Sequence, residues 1–364
     1  MDRVIMHIVG NRPQFIKLAP ISREIRRRGY SEIIIHTGQH YDENMSSVFF
    51  DELDIPEPNE NLNISGGSHG QMTARIMMAL EPRVAKYNPG CVIIYGDTNS
   101  TLAAALVVRK LNIPIVHIEA GVRTGISDNP EEVNRILADH ISNLLCAPDQ
   151  KAVCNLEKEN LRANTFFTGD VMYDTFLYYK DKVDTKQILS LYNLKRRKYI
   201  LMTWHRQENT SDAERMQQII DMLEMIEYSI ICPLHPRTRL KLEEYGLLDR
   251  IMQLENVKLI PPVGYMEMLA LELNCSMILT DSGGLSKESF FAGVKCLFML
   301  DAEVWPDLEK IGWIIHTSND NRETVGRIKQ LLNVSATVKE CNPRFYGDGS
   351  AAVTIVDLIE EHLM

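Results

Sequence analysis

CVIIYGDTNSTLAAALVVRKLNIPIVHIEA, residues 91–120, is the stretch whose reading decides the fold. Cys91–Tyr95 is apolar without alternation, the pattern of a strand buried on both faces. Residues 101–110 are rich in Ala, Leu and Val and predict a helix, and residues 113–118 predict a second strand. Strand, helix and strand with short connections make one βαβ unit of a parallel sheet, expected to be right-handed.

The same switching runs outward in both directions. Upstream, residues 4–9 predict a strand, Gly10-Asn11-Arg12-Pro13 a loop, residues 14–28 a helix and residues 32–37 the next strand. Downstream, Asn129 and Pro130 open a helix as cap and first residue. Val133, Ile136, Leu137, His140, Ile141, Leu144 and Leu145 are expected to form its apolar face. After a strand at residues 165–169 the pattern pauses, and residues 174–197 read as helical, charged and polar. Strands resume at residues 199–203, 229–233, 257–260, 277–279 and 296–300, with helices after Ser211 and over residues 285–292. The sequence therefore predicts an α/β protein of two doubly wound Rossmann-like domains, residues 1–170 and 171–349, facing a central cleft. The helix at residues 350–364 is expected to pack back on the first domain.

Composition narrows the function. The chain has 364 residues, enough for two cores, and 45% are hydrophobic. Its net charge of −10 gives little support to a broad grip on nucleic acid or anionic lipid, so any phosphate must be held by a local site. No apolar run approaches the roughly 20 residues of a membrane span, and the start of the chain lacks a signal-peptide pattern; a soluble, cytoplasmic protein is expected. The seven cysteines are scattered with no Cys-x-x-Cys pair, so they read as reduced core thiols rather than a zinc site or a disulfide framework.

Chemistry-bearing residues cluster at predicted strand ends. Gly96-Asp97-Thr98 follows the first strand of the quoted stretch, where Asp97 or Thr98 either caps the next helix or faces a ligand. Glu119 ends the neighbouring strand, and a carboxylate there is costly unless partnered or working; Arg123 is an available partner. Glu131 and Glu132 suit the first turn of their helix, and Glu131 with Arg135 has i,i+4 spacing. Carboxylates crowded at one sheet edge have their pKa values pushed apart, so that one site can hold both an acid and a base. In the second half, His205 beside Arg206 makes a poor core pair that one phosphate oxygen would satisfy. Thr280-Asp281-Ser282-Gly283-Gly284 reads as a strand, a tight turn and a helix start whose backbone N–H groups can meet an anion. Glu288 lies one turn further on, within reach of a ribose diol, and Arg12 and Lys17 supply cations from the first half. Neither Gly-x-Gly-x-x-Gly after the first strand nor an ATP phosphate loop is present.

Seven stretches in order, GNRPQFIKLAP (10–20), TGQH (37–40), GDTNSTLAAAL (96–106), HIEAGVRT (117–124), PEEVNR (130–135), TWHRQEN (203–209) and TDSGGLSKE (280–288), resemble the non-hydrolysing UDP-N-acetylglucosamine 2-epimerases over nearly the whole chain. The resemblance implies the glycosyltransferase-B architecture, an isomerase, a UDP-sugar substrate, no cofactor, no metal and a homodimer. It implies Asp97, Glu119 and Glu131 as acid/base carboxylates around the sugar, and His205 as the group assisting departure of UDP. Arg12, Lys17 and Arg135 match cations near the substrate, Ser282, Gly283 and Gly284 the diphosphate-binding turn, and Glu288 the ribose carboxylate. Gln39, His40, Arg206 and His235 match positions that in some bacterial members touch a second, activating UDP-sugar.

The implied reaction is reversible C2 epimerisation of UDP-N-acetylglucosamine to UDP-N-acetylmannosamine, or of a modified analogue, for surface-polysaccharide precursors. A hydrolysing epimerase and a UDP-sugar-dependent glycosyltransferase are the alternatives. Two departures bear on the sugar. The family's Arg-Arg-Glu-Asn is Arg206-Gln207-Glu208-Asn209 here, and its Thr-Glu-Arg-Pro-Glu gives way to Ala302-Glu303-Val304-Trp305-Pro306-Asp307. The branch carrying Glu-Trp in that place includes enzymes for UDP-2,3-diacetamido uronic acids.

Overall fold

A computed structural model describes residues 4–39, 43–126, 128–300, 305–333 and 343–363. The chain divides into two units, Met1–Tyr178 with Asn342–Met364, and Tyr179–Cys341. The first holds seven parallel strands: β1 (Ile5–Val9), β2 (Glu32–His36), β3 (Glu60–Asn61), β4 (Cys91–Tyr95), β5 (Ile115–Ile118), β6 (Leu144–Ala147) and β7 (Thr165–Phe167), in the order β3-β2-β1-β4-β5-β6-β7. The second holds six: β8 (Ile200–Thr203), β9 (Ile230–Pro233), β10 (Val257–Ile260), β11 (Met277–Thr280), β12 (Cys296–Phe298) and β13 (Ile314–His316), in the order β10-β9-β8-β11-β12-β13. Both are doubly wound α/β sheets.

The quoted stretch shows why. Every residue of β4 and β5 is buried, and they pair in register from Val92↔Ile115 to Tyr95↔Ile118. Helix Asn99–Lys110 crosses between them and presses Ala103, Ala104, Val107 and Val108 into a core with Met6, Ile8, Val92, Ile94 and Leu80. Each such large aliphatic side chain contributes about 1.5–3 kcal/mol through burial. The second core gathers Ile200, Met202, Trp204, Ile220, Ile230, Met277 and Leu279 in the same way.

Two expectations need correction. Helix Pro130–Ile141 buries Glu132, Asn134, Arg135, Ala138 and Asp139, while Val133 and Leu137 are 45% and 43% exposed. Leu144 and Leu145 belong to β6. The buried face of this helix is polar because its side chains bind partners on neighbouring elements. The expected boundary at 170/171 also falls eight residues before the observed division at 178/179. Helix Val171–Tyr179 is tied to the first unit: Thr175 donates to the Ile16 carbonyl at 2.8 Å, and Asp174 accepts the Ala351 and Ala352 N–H groups at 3.1 and 2.8 Å.

Those last bonds cap the final helix, Ala351–Leu363, which returns to the first unit and buries Ile355, Val356 and Ile359. Arg28 fastens its outer side to Asp357 at 2.7 Å and Glu360 at 2.8 Å. No helix among the described residues is long and apolar enough to cross a membrane.

Candidate active site

Each sheet reverses its strand order once, between β1 and β4 in the first unit and between β8 and β11 in the second. Loops leaving the carboxyl ends of two such neighbours diverge and open a crevice, which is where doubly wound sheets hold ligands. Residues 10–12, 96–98, 204–206 and 281–284 leave these four strands.

In the first unit, Gln14 ties two exits together. Its Oε1 accepts the Gly10 N–H at 2.6 Å, and its Nε2 donates to the Tyr95 carbonyl at 2.7 Å and to the Thr98 and Thr101 hydroxyls at 3.1 Å. Thr98 is the cap of helix Asn99–Lys110 and shares a capping box with Thr101. The capping reading of that segment therefore holds for Thr98, and Asp97 is left out of the cap.

Asp97 pairs with the Arg135 guanidinium, which also donates to Glu132 at 2.7 Å. Burial works against the Arg135 charge, and the two carboxylates more than restore it, so its pKa is raised. Glu119 pairs with the buried Lys17. The Glu119 backbone has φ +68°, a left-handed conformation that costs an L-residue about 1–2 kcal/mol and concentrates at functional sites. Gly96, at φ +61°, leaves room for the pair, since a Cβ there would lie 3.2 Å from Glu119 Oε2 and 3.3 Å from Lys17 Nζ.

Two expected pairings do not form. Arg123 binds Asp139 at 2.7 Å and Glu159 at 2.8 Å instead of Glu119, because Lys17 already occupies that carboxylate. Arg135 binds Glu132 rather than Glu131, because Glu132 shares its buried helix face. Glu131 is half-buried, and its carboxylate meets no hydrogen-bond or ion-pair partner among the described residues. Arg12 begins helix Arg12–Arg27 with its guanidinium 5.5 Å from the centre of the Phe49 ring. Gln39 accepts the Ser100 N–H at 3.0 Å and hydroxyl at 2.7 Å. His40 lies outside the described residues.

Below the carboxylates lies a layer that the sequence reading missed. His117 on β5 contacts Asp139 Oδ1 through Nδ1 and the Gly96 carbonyl through Nε2, both at 2.7 Å. Asp139 also accepts the Gly121 N–H at 3.1 Å. Burial alone would raise the Asp139 carboxyl, and His117 and Arg123 outweigh it and hold it below the usual carboxylate range. The available signal was a polar residue inside an otherwise apolar strand, Val116-His117-Ile118.

In the second unit the groups gather around Asp281. His205 and Arg206 follow β8, and the His205 ring lies 5.4 Å from the His235 ring, centre to centre, with 34° between their planes. Ser282 caps helix Gly283–Phe291 by accepting the Leu285 N–H at 3.3 Å. The first N–H groups of a helix have no partner within it, so residues 283 and 284 present donors at its positive end. Trp305, unread as a site residue, donates its indole N–H to the Gly283 carbonyl at 2.7 Å and stacks on Lys287 with Nζ 4.3 Å from the ring centre. Glu288 is buried on the same helix, 3.4 Å from the Tyr265 hydroxyl. Burial and the charge of Glu288 raise the neighbouring Glu272 carboxyl well above its ordinary value.

A family model described as UDP-N-acetylglucosamine 2-epimerase matches residues 23–360. A Methanococcus maripaludis protein named UDP-N-acetylglucosamine 2-epimerase homolog is 47% identical over 357 residues, covering 98% of this chain and 99% of its own. A Pseudomonas aeruginosa protein named UDP-2,3-diacetamido-2,3-dideoxy-D-glucuronate 2-epimerase is 41% identical, with 98% and 99% covered. Among solved structures, the Methanocaldococcus jannaschii UDP-GlcNAc 2-epimerase in complex with UDP-GlcNAc and UDP superposes with a TM-score of 0.90 at 36% identity, over 98% of this chain and 99% of that one. With the family's model spanning most of its length and a relative 47% identical over 98% of it, this chain belongs to the UDP-N-acetylglucosamine 2-epimerase family.

Proposed function

We propose that the protein inverts C2 of a UDP-2-acetamido sugar reversibly, interconverting UDP-N-acetylglucosamine and UDP-N-acetylmannosamine or an analogue with the same ring. The observation that carries this reading is the pair of carboxylates Asp97 and Glu119, on the ends of adjacent strands, each already bound to a cation. The C2 hydrogen is not α to a carbonyl, so its direct removal leaves an unstabilised carbanion. Elimination removes that difficulty. As the C1–O bond breaks, its electron pair leaves with UDP, C1 becomes electron-poor, and a carboxylate takes the C2 proton to form the C1=C2 bond of a 2-acetamidoglucal. Protonation of the opposite face of C2 and return of the UDP oxygen to C1 complete the inversion.

Asp97, Glu119 and Glu131 are the proposed acid/base groups, two of them paired with Lys17 and Arg135, and Arg12 offers a further cation to the substrate. His205 would hand a proton to the departing phosphate oxygen, which the Ser282, Gly283 and Gly284 turn would receive, and Glu288 would bind the ribose. Incubation with UDP-N-acetylglucosamine in D2O tests the reading: the manno isomer should appear by proton NMR with deuterium at C2. Product without deuterium rules out the elimination route, and free UDP without a UDP-manno product identifies hydrolysis.

A 2,3-diacetamido uronate is the second candidate sugar. The likeness to the Pseudomonas protein favours it, in keeping with the Trp305 departure that resembles the branch for such sugars. Both UDP-sugars belong in the same assay. The proposal includes a homodimer, supported by exposed Val133 and Leu137 on one helix and tested by light scattering. It also includes a cytoplasmic location, which the free buried thiols of Cys91, Cys146, Cys232, Cys275 and Cys296 support.

A further inference from the structure

We infer that Asp281 is the positioning residue that sets the orientation and tautomer of His205, an inference that rests on the epimerase reading for what the histidine then does. Asp281 follows β11 directly and is fully buried. Among the described residues, the polar contacts of its carboxylate come from residues 205–209, which follow the neighbouring strand β8. Oδ2 accepts the Arg206 N–H at 2.9 Å, the His205 N–H at 3.0 Å and the Asn209 side-chain amide at 3.2 Å. Oδ1 accepts the His205 N–H at 3.1 Å and lies 3.1 Å from the His205 Nδ1.

A clamp for the loop would need acceptors only, and backbone and amide donors would satisfy it. The approach to the ring adds something else. A carboxylate facing Nδ1 requires a hydrogen there, which leaves Nε2 as the nitrogen presented outward on a side chain 33% exposed. The His235 ring beside it limits rotation away from the carboxylate. These contacts also hold the Asp281 carboxyl below its usual range although burial pushes it up. The next residue, Ser282, caps the helix that starts the anion-binding turn, and its N–H is pinned to Thr280 Oγ1 at 2.9 Å. One residue thus fixes where Nε2 stands relative to the donors that receive the leaving group.

Two measurements test this. In the unaltered protein with UDP bound, long-range 15N–1H NMR of labelled histidines, assigned by His205→Gln, should show the neutral His205 ring protonated on Nδ1; protonation on Nε2 overturns the inference. Asp281→Asn should lower kcat about 10²-fold with UDP affinity within about threefold, and should cost no more than about threefold in a His205→Gln background. Losses that multiply in the double variant, or an unchanged kcat, overturn it. Should Asp281→Asn fail to fold, the NMR result on the unaltered protein decides. Should the unaltered protein epimerise no UDP-2-acetamido sugar, the epimerase reading fails, and the tautomer still decides the role of Asp281.

Discussion

The two sheets share the same order over six strands, with β7 added to the first, and each places its candidate groups at its own switch point, yet the edges are furnished differently. At the first, charge meets charge: Lys17 with Glu119, and Arg135 with Asp97 and Glu132. At the second, one carboxylate, Asp281, is surrounded by backbone and amide donors and a single imidazole. Paired charges can exchange partners when a substrate arrives, which suits proton transfer. The donors around Asp281 are already engaged by it, and the N–H groups of residues 283 and 284 beside them, unpaired within their helix, suit the reception of an anion. The difference lies in the residues gathered at the strand ends, and it matches the division of work proposed for them.

The sharpest way to break this contrast is Glu119→Gln. It should lower kcat for deuterium incorporation at C2 by about 10³-fold or more while UDP binding by calorimetry stays within about threefold, since general acid–base groups contribute roughly 10²–10⁴-fold. Equal losses in both would mean that the edges do not divide the work as described.

Asp174 sharpens the contrast from inside the first unit. It is a buried carboxylate with two backbone N–H donors, and burial outweighs them, pushing its pKa up to about 6. A raised folded pKa means that its contribution to stability is full below about pH 4 and lost as pH rises through about 6. The loss amounts to about 2–3 kcal/mol on a conversion of about 1.4 kcal/mol per unit. Urea midpoints from pH 4 to 7.5 should slope downward relative to Asp174→Asn; parallel curves would refute the assignment.

Gly96→Ala comes next. A left-handed alanine beside the Lys17–Glu119 pair should cost about 1–2 kcal/mol of stability and reduce turnover, read by thermal unfolding and initial rates. The smallest effect belongs to the second edge. Trp305→Phe keeps a ring over Lys287 but loses the bond to the Gly283 carbonyl, which should weaken UDP binding by about 1 kcal/mol and leave kcat unaltered.

Much of the scaffold is legible in the residues themselves. β4, the helix after it and β5 announce themselves because burial on both faces demands unbroken apolar runs. Helix Pro130–Ile141 misleads for the converse reason: Glu132, Arg135 and Asp139 look like a solvated face, and only the fold brings Asp97, Arg123 and His117 to meet them. Spacing along a helix nominates i,i+4 neighbours, so it suggests Glu131–Arg135, which does not form, and misses Arg135–Asp97 across 38 residues. Lys17 and Glu119 are 102 residues apart, and no local pattern links them. The strand-end residues could be nominated because sheet topology dictates where ligands sit, whereas their ion-pair partners depend on side-chain directions that only the folded chain fixes.

The return of helix Ala351–Leu363 to the first unit makes the second unit an insertion within its host. The second is one continuous stretch of chain; the first is built from two separate stretches that must come together. Losing residues 351–363 would therefore strip a buried helix from the unit that carries Asp97 and Glu119, not from the one that precedes it in sequence.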